Sequence, residues 1–273
     1  MNTIVATDLD GTVIFSPRTG GDGADLISVD EYRGRSCGAM TAQGHRAWER
    51  LAGTGALVPV TTRTSAQYQR IRLPGPAPRL ALVCNGARLL VDGDPDPAWD
   101  RRVRRATAAS AAPFETVWAH VASWAQAHPF TDVKSAEDFF VYAVAAAPAP
   151  WLAAVAAEAG RWAEPRGWRV SLQGRKLYLV PTVLDKAWAV AGVAERLAAD
   201  RVVAGGDSLL DEGMLLAADR AVRPAHGELH TAGFRAPHCH TTATSGAAAG
   251  AEISHWYLSQ LDDGKHSHPK EMT

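Results

Sequence analysis

The chain has 273 residues, 47% of them apolar, and its 28 basic side chains almost cancel 29 acidic ones to leave a formal net charge of −1. That length and composition fill one large globular domain or two modest ones, and the charge balance excludes a nucleic-acid partner held by basic excess and an acidic solvating tail. Three cysteines, Cys37, Cys84 and Cys239, are odd in number and lack CxxC spacing, which excludes a disulfide framework and a thiolate zinc site and fits a reducing compartment.

In chain order, residues 3–7 form a short apolar, β-branched run ending in polar residues, the pattern of a buried parallel strand. Asp8 and Asp10 arrive before any long apolar stretch, so no signal peptide is expected. Residues 20–23, Gly-Gly-Asp-Gly, read as a flexible flap. Thr41 is placed to cap a helix reaching about residue 52, with Ala47, Trp48 and Leu51 on one face. Residues 57–60 and 80–84 read as two more buried strands, followed at once by Thr61-Thr62-Arg63 and by Asn85-Gly86. Strand, helix, strand, with polar residues after each strand, predicts a parallel sheet whose site lies at the carboxyl ends.

Past residue 90 the texture changes. A turn-rich link leads to a long helix over about 102–127, a strand at 139–144, a helix at 151–163, and two strands at 168–172 and 176–180 joined through Gln173-Gly174. This block lacks acidic and hydroxyl residues at its strand ends and reads as a smaller α/β domain inserted into the first. The alanine-rich stretch 142–160 is interrupted by Pro148, Pro150 and Glu158, so no membrane span and a cytoplasmic location are expected. The first texture resumes with a helix over 185–198, a strand over 202–204 leading into Gly205-Gly206-Asp207-Ser208, a last strand at 220–223 and a closing helix over 248–261. The expected division is a core from residues 1–88 and 183–262, an insert from 89–182, and a disordered polar tail from 263–273.

Four places carry chemistry-bearing residues: Asp8-Leu9-Asp10-Gly11-Thr12 after the first strand, Thr61 and Thr62 after the second, Lys186 at a helix start, and Asp207 with Asp211 after a later strand. Were Asp8, Asp10 and Asp207 to converge, each like-charged pair at about 4 Å would repel by ~4 kcal/mol at an effective dielectric of about 20. Such a cluster must take up protons or hold a cation, and an all-oxygen set with few protein ligands suits Mg²⁺. A lysine and a threonine hydroxyl beside it supply charge and a donor to a phosphate, the equipment of phosphoryl transfer. One aspartate can then attack phosphorus while another exchanges protons with the leaving oxygen and with water.

In order along the chain, DLDGT, a strand-end threonine, a lysine at a helix start and GDSLLD resemble the four motifs of the haloacid dehalogenase superfamily. The resemblance implies a Rossmann-like α/β core with an inserted C2-type α/β cap. It also implies Asp8 as nucleophile, Asp10 as acid/base and Thr61 and Lys186 on the phosphate. Mg²⁺ would sit on Asp8, the Asp10 backbone carbonyl and Asp207, with Asp211 in support. Asn85-Gly86-Ala87 leading into the insert is similar to the branch (subfamily IIB) of sucrose-phosphate phosphatases, mannosyl-3-phosphoglycerate phosphatases and Cof-type sugar phosphatases. VPVTTRT is nearest the second of these. Thr62 stands where that branch commonly has glycine, and Leu210 where it commonly has asparagine. The implied function is a Mg²⁺-dependent phosphatase acting on a small phosphorylated metabolite, a sugar phosphate or phosphorylated sugar acid. A phosphomutase and a non-catalytic binding module are the rivals.

Some positions keep two readings. Thr61 and Thr62 compete for the phosphate, and either can cap a helix. Arg63 either touches substrate or pairs with a carboxylate. Asn85, with Gly86, either turns the chain or meets the ligand. Asp211 can charge-stabilise the helix that follows it. Trp162, Trp168 and Trp188 are candidates for a cleft wall, and His238-Cys239-His240 fits no zinc spacing and reads as a loop.

Overall fold

The structure, a computed structural model, describes residues 2–17 and 25–266, so the expected flap at 20–23 lies outside it. β1 (Thr3–Thr7) is buried from Ile4 onward. β2 (Leu26–Tyr32) and β3 (Arg35–Thr41) form an antiparallel hairpin that sequence reasoning did not find. Both turn residues, Arg33 and Gly34, have positive φ (52° and 71°), as two-residue hairpin turns require. The strands LISVDEY and RSCGAMT alternate too weakly to announce themselves, because the hairpin buries only part of each strand, Val29 and Asp30 from one and Gly38, Ala39 and Met40 from the other. α1 (Ala42–Ala52) starts where expected: the Thr41 hydroxyl accepts from Gly44 N at 3.0 Å, and Ala47, Trp48 and Leu51 are buried. β4 (Leu57–Pro59) leads to α2 (Ser65–Gln69), which opens with a capping box between Thr64 and Gln67.

β5 (Leu80–Val83) turns through Cys84 and Asn85, both at positive φ, into β6 (Arg88–Val91) and β7 (Asp94–Pro95). The expected single helix over 102–127 is two, α3 (Pro97–Ser110) and α4 (Phe114–Trp124). Pro113 breaks the run: it has no N–H to donate and drives the preceding residue out of the helical region. β8 (Phe130–Ala136), another strand not foreseen, pairs with β9 (Phe140–Ala145); α5 (Trp151–Ala163), β10 (Trp168–Gln173) and β11 (Lys176–Pro181) follow.

The chain returns through α6 (Lys186–Arg196), capped by the Asp185 carboxylate, to β12 (Arg201–Gly205), α7 (Glu212–Ala217), β13 (Arg220–Arg223) and α8 (Gly227–Thr231). β14 (Cys239–Thr241) corrects two expectations, since β13 is not the last strand and Cys239-His240 is not loop: both residues pair with β13. α9 (Gly246–His266) carries the closing helix four residues into the stretch expected to be disordered; the rest of that tail lies outside the described residues.

Two sheets result. One is wholly parallel, in the order β14-β13-β12-β1-β4, with β5 set beside β4 through a parallel bridge between Val60 and Leu82. The other is antiparallel, in the order β10-β11-β9-β8. The class is α/β, a parallel sheet flanked by helices with a second, smaller α/β unit. One apolar cluster runs through both, joining Val58 and Leu82 to Phe140 and Trp168. β1 lies at the centre of the parallel sheet between β12 and β4, so residues just past the carboxyl ends of these three strands meet in space.

Candidate active site

Directly after β1, Asp8 N donates to Gly205 O at 2.9 Å, and the Leu9 carbonyl then accepts from the N–H groups of Thr12, Val13 and Ile14. That tight loop needs Gly11, at φ +84°; a Cβ there would lie 2.5 Å from Asp207 Oδ2. Gly227 (φ +84°) does the same from the opposite side, where a Cβ would lie 2.8 Å from that oxygen. Two glycines therefore keep the space beside the Asp207 carboxylate open.

The carboxylates of Asp8, Asp207 and Asp211 come together with oxygens within 4.8 Å of one another. Lys186, fully buried at the first turn of α6, sends its Nζ to Asp8 Oδ1 (2.7 Å) and Asp211 Oδ1 (2.5 Å). The Thr12 hydroxyl donates to Asp8 Oδ2 at 3.3 Å and stands 3.5 Å from Asp207 Oδ1. Three carboxylates face one ammonium, and the imbalance appears in the acidity of Asp8 and Asp207. Burial pushes the Asp8 carboxyl up to about 7, against the Lys186 ammonium and with the Asp211 charge. Burial, then Asp8 and Asp211, raise Asp207 well above the carboxylate range. Lys186 is held above its usual value because Asp211 and Asp8 together outweigh its burial.

Asp211 plays a different part from Asp207. Its Oδ2 accepts from Ser208 N (2.9 Å), Ser208 Oγ (2.8 Å) and Asp207 N (3.1 Å), while Oδ1 holds Lys186. With both oxygens engaged, it shapes the loop and fixes the lysine. Asp10 also stands apart from the cluster. Its side chain is about half exposed and is gripped bidentately by Arg63, with Nε to Oδ2 and Nη2 to Oδ1 both 2.6 Å. Its carboxylate does not join the group formed by Asp8, Asp207 and Asp211.

Arg63 is thus paired with carboxylates. Its Nη1 also donates to Asp30 Oδ2 at 2.6 Å, and Asp30, buried on the hairpin, is held as well by Arg70 at 2.7 Å. These bonds to Arg70 and Arg63 overcome the effect of burial and keep the Asp30 carboxyl below its usual range. Thr61 is fully buried; its Oγ1 accepts from Arg63 N at 3.1 Å, leaving the hydroxyl hydrogen to donate. Thr62, half-buried, meets the Tyr178 hydroxyl from β11. Asn85 turns the chain at φ +58° and donates Nδ2 to Leu184 O at 3.0 Å. Gly86 packs under α6, where a Cβ would sit 2.5 Å from that of Ala189, and its carbonyl accepts from Trp99 Nε1. Both take part in the turn, and the buried Asn85 Oδ1 has no hydrogen-bond partner among the described residues.

Of the tryptophans considered for a cleft wall, Trp168 is fully buried and packs in the core, while Trp162, stacked on His120, and Trp188, against Trp99, are partly buried. Sequence reasoning missed Asp30 and Tyr178, whose approach to the site depends on the hairpin and on the pairing of β11. It also missed His226, whose Nδ1 accepts from Gly246 N and whose Nε2–H donates to Gly11 O at 2.8 Å, bracing the first loop.

No protein-family model matches the sequence, and no curated protein matches it. Solved structures do. The sucrose-phosphatase of Synechocystis, determined with sucrose and phosphate, superposes with a TM-score of 0.64 over 96% of this chain and 98% of its own at 14% identity. A trehalose-6-phosphate phosphatase related protein gives 0.58 over 96% and 99% at 16% identity. A haloacid dehalogenase-like hydrolase of Bacteroides thetaiotaomicron gives 0.55 over 94% and 100% at 15% identity. The chain has their fold along nearly its whole length.

Proposed function

We propose that the chain is a Mg²⁺-dependent phosphatase of small phosphorylated metabolites, a sugar phosphate or phosphorylated sugar acid, working through an aspartyl phosphate on Asp8. The observation that carries the reading is the meeting, in one largely buried cluster, of Asp8 just after β1 and Asp207 just after β12, with the Lys186 ammonium 2.7 Å from Asp8. Protein charge alone leaves this cluster unbalanced. The donor set fits the ion: the carboxylate oxygens of Asp8 and Asp207, the latter left unobstructed by two glycines, would hold it together with the Asp10 carbonyl. When bound, Mg²⁺ supplies charge neutralisation to the phosphoryl oxygens.

The protein's own residues do the rest. Lys186 and the Thr61 hydroxyl hold the phosphoryl group, and the Asp8 carboxylate attacks phosphorus from the side opposite the leaving oxygen. An O–P bond forms to Asp8 as the bond to the leaving oxygen breaks. Asp10, freed from one Arg63 N–H and entering the cycle with a proton taken up from water on the freed carboxylate oxygen, gives this proton to the leaving oxygen. Asp10 then takes a proton from the water that attacks the aspartyl phosphate, so inorganic phosphate leaves and Asp8 is regenerated. The antiparallel unit acts as the cap that shuts out bulk water, with Tyr178 reaching the site from it. Phosphate release from an aryl phosphate, with Mg²⁺ present, tests the reading. The wild type turns over and Asp8→Asn does not; equal rates would refute it.

A further inference from the structure

The antiparallel sheet has two unlike faces. Directly paired residues share a face, so the pairing of β10, β11, β9 and β8 puts Ser171, Tyr178, Tyr142 and Lys134 in one row, with Gln173 and Lys176 in the row beside it. The opposite face is apolar and buried, with Leu177, Leu179, Val141 and Ala143. The polar face is the one turned to the acidic cluster, because the Tyr178 hydroxyl meets Thr62 and feels the charges of Asp10 and Asp8.

Three features of this face bear on what it can receive. Ser171, 6% exposed, has a buried Oγ without a hydrogen-bond partner, and the buried Nε2 of Gln173 lacks one too. Buried polar groups are ordinarily satisfied. Tyr142 and Tyr178 stack at 5.4 Å and 28°, giving a flat amphipathic floor next to these orphaned groups. Lys176, partly buried, has no carboxylate partner among the described residues and lies with Nζ 5.9 Å from the Tyr142 ring centre. Lys134, at the other end, is spent on Asp132 at 3.0 Å.

We infer that this face receives the part of the substrate attached to the phosphoryl group, and that this part is polyhydroxylated and carries a second negative charge, read by Lys176. The inference rests on the phosphatase reading and narrows its substrate class. Hydroxyl groups of the ligand satisfy Ser171 and Gln173, a sugar-like face lies on the tyrosines, and the second anion meets Lys176. Two residues of strand place Lys176 about 7 Å beyond Tyr178, so the anion stands at the end of the group remote from the Asp10 side. That anion is either a carboxylate, as in a phosphorylated sugar acid, or another phosphate, as in a sugar bisphosphate.

The test compares kcat/KM on an aryl phosphate, a hexose 6-phosphate whose sugar is uncharged, a hexonic acid 6-phosphate and a hexose 1,6-bisphosphate. The wild type should favour one substrate with a second anionic group over the hexose 6-phosphate, which has only one, by about tenfold or more, the scale of a charge-assisted hydrogen bond, and which one it favours identifies the anion. Lys176→Met should lower that ratio by about tenfold, mainly through KM, and Lys176→Arg should restore most of it. Gln173→Leu should lower kcat/KM on all three sugar substrates relative to the aryl phosphate. A wild type that hydrolyses the aryl phosphate in an Asp8-dependent way but shows no such ratio, or a ratio untouched in Lys176→Met, overturns this inference and leaves the phosphatase reading standing. No Asp8-dependent hydrolysis of any of the four overturns both.

Discussion

Replacing Lys186 by methionine removes the cation that, among the described residues, pairs with the acidic cluster, while keeping most of the apolar stem. Its Nζ lies 2.7 Å from Asp8 and 2.5 Å from Asp211, and the residue is fully buried. One such pair attracts by about 6 kcal/mol at an effective dielectric of about 20, most of it offset by desolvation of the ammonium. Breaking a buried pair from one side nevertheless costs about 3–5 kcal/mol, because the carboxylates stay behind uncompensated. In a chain of this length that lowers the unfolding temperature by about 6–10 °C. The assay is urea and thermal unfolding in chelator, so that no ion substitutes for the lysine. Asp8→Asn removes one of the crowded carboxylates and should be close to neutral alone. Combined with Lys186→Met, it should recover about 2 kcal/mol of the loss, since fewer charges are stranded. A loss below about 1 kcal/mol for Lys186→Met, or strict additivity in the double variant, would refute the claim that the lysine offsets these carboxylates.

Other outcomes follow from the same geometry. Asp8 has a folded value of about 7, raised from 3.8. A raised carboxyl contributes stability that is complete below the unfolded value and lost as pH climbs through about 7, so Mg²⁺ should raise the unfolding temperature more at about pH 8 than at about pH 5.5, where it must displace a proton; equal shifts at both would count against the cluster as the ion's site. Gly11→Ala forces a Cβ into the left-handed region and against Asp207 Oδ2. It should cost about 1–3 kcal/mol and abolish the Mg²⁺-induced shift, both read by calorimetry. Asp10→Asn should cut turnover of a substrate with a poor leaving group about 10²–10⁴-fold, with unfolding temperature little changed, as steady-state kinetics and a melt will show. Chelation should stop phosphate release, and added Mg²⁺ should restore it.

The parts of this fold that sequence makes legible are those where local chemistry and tertiary structure agree. β1 is continuous and buried on both faces, Thr41 caps α1 through its own hydroxyl, and Trp151–Ala163 carries a helical stripe uninterrupted by proline. The polar residues that must sit after parallel strands identified Asp8, Thr61 and Asp207 for the same reason. The hairpin β2–β3 was not legible because its burial comes from pairing and from contact with α1 and α9, and less from its own alternation. Arg63 carried no local sign of its partners: Asp10 lies 53 residues away and Asp30 is delivered by that unseen hairpin. Tyr178 was hidden by strand register, since only the pairing of β11 with β9 and β10 decides which face it takes.

The most direct measurement is where the phosphoryl group rests during turnover. Wild-type protein mixed with an aryl phosphate and Mg²⁺, quenched in acid within the first turnover and digested, should yield a phosphorylated peptide containing Asp8. The species should accumulate in Asp10→Asn and be missing from Asp8→Asn. A phosphoryl group on any other residue, or hydrolysis at full rate with none on the protein, would contradict nucleophilic attack by Asp8.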